Sequence, residues 1–169
     1  MNLAYTFAPG RGDTNRLLSD LAQELEARGM RLCGTVQQDT PREKEHMCDM
    51  DVRVLPEGPT IRISQSLGAD AKGCRLNPNA LEEAVAITER ELPKGADLLI
   101  VNKFGKHEAD GRGFRDAIAS ALALGIPVLV GASKTNVAAL AAFSEGMAVE
   151  LPPEPEVLRD WVNAHTAAG

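Results

Sequence analysis

A three-layer α/β fold around a mostly parallel sheet is the architecture this sequence predicts. Three observations carry it. Apolar strand-like runs alternate with amphipathic helical stretches along the chain, which implies parallel crossovers. Two of the runs, Ala96–Val101 (ADLLIV) and Ile126–Val130 (IPVLV), are continuously apolar, as strands covered on both faces are. A third region behaves differently. Val52–Leu55 and Ile61–Ile63 alternate apolar with polar residues around Glu57-Gly58-Pro59, which reads as a β-hairpin inserted after the second strand, at an edge of the sheet.

The elements follow in order. Leu3–Phe7 is a short strand. Asp13–Arg28 is a helix, because Leu17, Leu18, Leu21 and Leu25 form one apolar stripe, and Gly29 is its natural stop. Met30–Val36 is the second strand, and the polar stretch Gln37–Asp49 is expected to be a loop leading to the hairpin. Leu67–Arg75 reads as a glycine-containing loop. Asn77-Pro78 is a cap and first-turn pair for a helix reaching about Leu92. After the ADLLIV strand, Gly113–Leu124 is helical and Gly125 ends it. Val137–Phe143 is a short helix, Met147–Leu151 a last strand, and Pro155–His165 a terminal helix. Ligands of such sheets sit beyond the carboxyl ends of the strands. That rule gathers residues 8–16, 37–39, 102–113 and 131–136 at one rim.

Composition narrows the chemistry. At 169 residues a single domain spanning 1–169 is expected. The net charge of −6 disfavours nucleic acid and an anionic membrane surface as partners. No apolar run approaches the ~20 residues of a membrane span, and no basic region followed by an apolar core opens the chain. Cys33, Cys48 and Cys74 stand at no zinc spacing. Together these predict a cytoplasmic protein with reduced thiols. His46-Met47-Cys48-Asp49-Met50-Asp51, with Cys74 and His107, contains metal-ligating residue types but no closed metal pattern, so no metal is assigned.

Three segments carry a family resemblance over roughly residues 1–150. Gly10-Arg11-Gly12-Asp13-Thr14-Asn15-Arg16-Leu17-Leu18 resembles the G-x-G-K-T-T-L phosphate loop of small P-loop nucleoside-triphosphatases. ADLLIVNKFG resembles their Walker B strand, A-D-L-(apolar)-D-E-x-G, and GFRDAIASALALGIPVLV resembles the segment that follows it. More closely, NKFGKHEADGRGFR is similar to a bacterial family of unknown function, related to those enzymes and often labelled molybdenum-transport associated. The resemblance implies a P-loop-like fold. It also exposes departures: Asp13 stands where the phosphate-binding lysine belongs, Asn102 where the Walker B Asp belongs, and Lys103 where the catalytic Glu belongs. A lysine has become acidic, and an acid has become basic.

Two readings of Asp13 stay open: a helix N-cap accepting from the Asn15 or Arg16 amide, or an ion pair with Lys103. Either sets an anion against a triphosphate docked in the usual pose. Arg11, Arg16, Lys103, Lys106 and Lys134 bring cations to the rim, and Thr14, Ser133, Thr135 and Asn136 bring neutral donors. Each cation alone reads equally well as solvated surface. Glu108 and Asp110 read by default as surface loop acids, with orienting Lys103 or Lys106, or binding a metal, as the alternative; Arg53 and Arg62 read as solvated hairpin positions, Cys33 as core and Trp161 as an anchor for the last helix.

The reading is therefore an anion-binding P-loop-like protein with degenerate Walker motifs. Its ligand is a nucleotide or an oxyanion such as molybdate, the latter implied by the family label alone. It has no standard hydrolysis and no assigned catalytic residue. An active nucleoside-triphosphatase with unorthodox residues, and a regulatory or scaffold domain meeting a protein partner through the hairpin, are the alternatives.

Overall fold

The computed structural model describes residues 2–10, 12–41, 48–65 and 75–166. Its strands are β1 (Leu3–Thr6), β2 (Leu32–Pro41), β3 (Cys48–Leu55), β4 (Thr60–Arg62), β5 (Ser64–Gln65), β6 (Arg75–Leu76), β7 (Leu98–Phe104), β8 (Val128–Ala132) and β9 (Val149–Leu151). Its helices are α1 (Asp13–Ala27), α2 (Pro78–Glu91), α3 (Lys106–Ala109), α4 (Arg115–Ala123), α5 (Val137–Phe143) and α6 (Pro155–His165). Seven strands form one sheet in the order β4-β3-β2-β7-β8-β1-β9, and β5 pairs with β6 apart from it. From β2 to β9 every neighbouring pair is parallel, whereas β3 and β4 extend the sheet antiparallel beyond β2. The fold is thus a three-layer, mostly parallel α/β sheet with a hairpin after its second strand.

The period-2 alternation of β7 shows how the layers arise. Leu98 and Ile100 pack with Leu18, Leu21 and Leu25 of α1 and with Leu158, Trp161 and Val162 of α6. Leu99 and Val101 pack on the opposite face with Ala84 and Val85 of α2, Ala117, Ile118 and Ala121 of α4, and Leu140 of α5. All four β7 side chains are fully buried, so each face removes whole leucines and valines from water, worth about 1.5–3 kcal/mol per side chain. Cys33 and Trp161 are core residues, as expected.

The sequence places a loop at Gln37–Asp49, and here the structure corrects it. β2 continues to Pro41 and β3 begins at Cys48, paired from Gln37↔Val52 to Pro41↔Cys48. Ladder bonds are made by the backbone, so a polar stretch with a partner strand beside it can extend. The expected loop at Leu67–Arg75 lies outside the described residues except at Arg75, which begins β6. His46, Met47 and Cys74 also lie outside them. Arg53 and Arg62 are not merely solvated: Arg53 pairs with Glu26 at 2.7 Å and Arg62 with Asp51 at 2.9 Å. Among the described residues, no helix is long and apolar enough to cross a membrane.

Candidate anion site at the strand ends

The turn from β1 into α1 is closed by the backbone and by Thr14. Gly12 occupies the N-cap position at φ 76°, a left-handed conformation that favours glycine. Asp13 is therefore the first helical residue, and no side chain caps α1. The Asp13 N-cap reading fails for that reason. The ion-pair reading fails too, since among the described residues no ion pair joins Asp13 to Lys103. The exposed Asp13 carboxylate folds back over Gly10, where an added Cβ would collide with it. The Thr14 hydroxyl, which in a working P-loop would face Mg²⁺, accepts instead from the Ala8 amide at 2.9 Å and lies 3.4 Å from the Ala8 carbonyl oxygen.

The end of β7 is bulged. Val101 stands opposite Val130 and Phe104 opposite Ala132, so β7 fits one more residue than β8 into the same span. Bulges re-aim side chains and recur beside functional sites. Gly131 accommodates this one, because a Cβ there would collide with the Asn102 carbonyl oxygen. The Asn102 side chain is 5% exposed and ties three elements together. Its amide nitrogen donates to Asn15 Oδ1 at 2.9 Å and to Gln37 Oε1 at 3.0 Å, and its oxygen accepts from the Gln37 amide at 3.2 Å. Position 102 thus holds a neutral group with both N–H donors and its oxygen engaged.

Beyond the bulge, Lys103 is exposed and its side chain runs over Gly105. Lys106 opens the short α3 and is exposed as well. Glu108 does not behave as a surface acid. It is 3% exposed, accepting from the Gly105 amide at 2.8 Å and from the Phe114 amide at 2.9 Å. Burial pushes its carboxyl above the usual range, against the lowering effect of those amide bonds. The acid staples the two ends of the loop that presents Lys103 and Lys106.

These elements enclose a cavity of about 700 Å³. Of the site residues expected from sequence, Gly10, Gly12, Thr14, Asn15, Asn102, Lys103, Lys106 and Ser133 line it. Asp13, Arg16 and Lys134 do not: all three are exposed, Asp13 turned back over Gly10, Arg16 a further turn along α1, and Lys134 beyond the end of β8. Arg11 lies outside the described residues. Gln37 and Glu108 fall in the segments that the topology gathers at the rim, but neither was singled out as a site residue; both line the cavity. Sequence reasoning also missed an apolar wall formed by Met50, Val52, Ile63, Leu76, Leu81 and Phe114. Its only signal was the apolar alternation of the hairpin.

Residues 3–161 match DUF2478, described as a protein of unknown function. The chain belongs to that family. This DUF2478 chain is also 36% identical over 149 residues to the molybdenum import ATP-binding protein ModC 2 of Bradyrhizobium diazoefficiens. That match covers 88% of the chain but 17% of the relative, so the chain spans about a sixth of that protein's length. The solution structure of a human cancer-related nucleoside triphosphatase superposes with a TM-score of 0.64, covering 99% of this chain and 98% of that one at 16% identity. The likeness shows the fold.

Proposed function

We propose that this DUF2478 chain binds a small anionic ligand, a nucleotide or an oxyanion, in the strand-end cavity and does not hydrolyse nucleoside triphosphates by P-loop chemistry. One observation carries the reading: the distribution of charge. In a chain of net charge −6 the charged groups among the described lining residues are Lys103, Lys106 and one acid, Glu108, whose two oxygens already accept backbone amides. An anion entering there meets cations and the positive end of α1 with no free carboxylate among the described lining residues. The degenerate Walker positions support the second half of the proposal. Without a lysine at position 13, an acid at 102 or a free Thr14 hydroxyl, the main electrostatic terms of phosphoryl transfer are missing.

The relative's name, a molybdenum import ATP-binding protein, makes both ATP and molybdate reasonable probes. The reading takes residues 1–169 as one functional unit working in the cytoplasm without nucleic acid or membrane partners. The test is calorimetric titration of wild type and Lys103→Ala with ATP, phosphate and molybdate. Wild type should bind at least one of them. Lys103→Ala should lose at least tenfold in affinity, and added salt should weaken what remains. Unchanged affinity in Lys103→Ala would overturn the proposal.

A further inference from the structure

We infer that the ligand is amphipathic: an aromatic body carrying one anionic head, with the body seated between β3 and α2 and the head at Lys103 and Lys106. The inference rests on the anion reading and extends it to the class of molecule bound. A four-oxygen ion would fill a small fraction of the cavity, whose volume of about 700 Å³ falls within the roughly 300–1,000 Å³ of sites for drug-sized molecules.

The lining is graded along the sheet. Its cations come from the end of β7 and from α3, and its broadest apolar wall comes from β3, β6, α2 and the segments holding Ile63 and Phe114, while Phe7, Ala8 and Pro9 add apolar groups at the end of β1. Val52, Ile63 and Phe114 are buried, and they form the back of this wall. Met50 and Leu81, which also line the cavity, are only half-buried. Among the described residues, these two keep apolar surface that an apolar body would cover. Met50 suits an aromatic partner, since a thioether is polarizable and packs well against ring edges.

The sheet order sets the separation of head and body. β2 alone stands between β3 and β7, so the two poles lie about 10 Å apart at the usual 4.7–4.9 Å strand spacing. Between them, Gln37, Asn102 and Asn15 form a neutral floor whose amides bond one another. That span is too long for one bare oxyanion to touch both ends, and it fits a ring system joined to a phosphate or carboxylate.

The test uses 1-naphthyl phosphate, methyl phosphate and molybdate as probes, titrated into the full chain. 1-Naphthyl phosphate should bind at least tenfold tighter than methyl phosphate. In Leu81→Gln the ratio of the two affinities should fall toward one, and Met50→Gln is the second variant should Leu81→Gln fold poorly. Lys103→Ala should weaken both phosphates. Equal affinity for the two phosphates, still dependent on Lys103, overturns the amphipathic ligand while leaving the anion reading standing. An unchanged ratio in folded Leu81→Gln and Met50→Gln also overturns it. Affinities for all three probes that ignore Lys103→Ala overturn both.

Discussion

Replacing Asn102 by Asp puts an acid where the resemblance to a Walker B strand expects one, and the geometry says it should cost stability. The Asn102 amide nitrogen donates two bonds, at 2.9 Å to Asn15 and 3.0 Å to Gln37. A carboxylate there would set oxygen against oxygen at both contacts. Each lost bond is worth about 0.5–1.5 kcal/mol, and desolvation of a charge at a site 5% exposed adds to that, giving about 2–4 kcal/mol in all. For a chain of 169 residues that is roughly a 5–15 °C drop in Tm. The carboxyl would have a folded pKa above its unfolded value near 3.9. The charge part of its penalty is therefore full above the folded pKa and is lost as pH falls below the unfolded one, while the protonated acid, with one O–H for two acceptors, still leaves one bond unmade. Urea denaturation at pH 7.5 and pH 4.5 should show a large deficit at the first and a smaller one at the second. Mg²⁺ should not rescue the variant, because the Thr14 hydroxyl is engaged with Ala8. Asn102→Asp as stable as wild type at pH 7.5 would refute the reasoning, showing that Asn15 and Gln37 present N–H groups to position 102.

Two further substitutions test the parts around the cavity. Glu108→Gln supplies one oxygen where two amides need acceptors, so near pH 4.5 it should destabilise by about 1–3 kcal/mol. Since burial raises the Glu108 carboxyl above its ordinary 4.5, the acid's contribution is greatest below that value and is lost as pH rises through the raised one. The wild-type margin over Glu108→Gln should therefore narrow toward neutral pH, and a margin that widens in denaturant melts would contradict this. Asp13→Ala should cost no more than about 0.3–1 kcal/mol, the scale of a charge at a helix end, because the exposed carboxylate caps nothing. A loss near 2 kcal/mol in the same melts would mean that it does cap.

Much of the fold was legible because local signals agreed with the tertiary outcome. Asn77-Pro78 announces α2, and Asn77 Oδ1 does accept from the Asn79 and Ala80 amides at 3.1 and 3.4 Å. The apolar runs of β7 and β8 announced strands covered on both faces, and Leu98–Asn102 of β7 and all of β8 are buried. The rim followed from topology, which places the ends of β1, β7 and β8 together before any side chain is considered. Asp13 was misread because Gly12 and Asp13 are both acceptable caps, and only the left-handed turn at Gly12 decides between them. Glu108 was misread because an acid in a Lys-His-Glu-Ala-Asp stretch is ordinarily solvated. It becomes buried only when Phe114, six residues on, folds back to share it. The apolar wall was legible only in the hairpin's alternation, because Met50 of β3 and Leu81 of α2 line it from elements whose pairing no local pattern encodes.

The claim that this P-loop-type cavity binds an anion without turning over triphosphate is tested most directly by Mg²⁺-dependent phosphate release from ATP and GTP. Wild type and Lys103→Ala, purified side by side to constant specific activity, should both sit at background. Release near ~1 s⁻¹, the low end for kinases, that persists in wild type and is lost in Lys103→Ala would contradict the account.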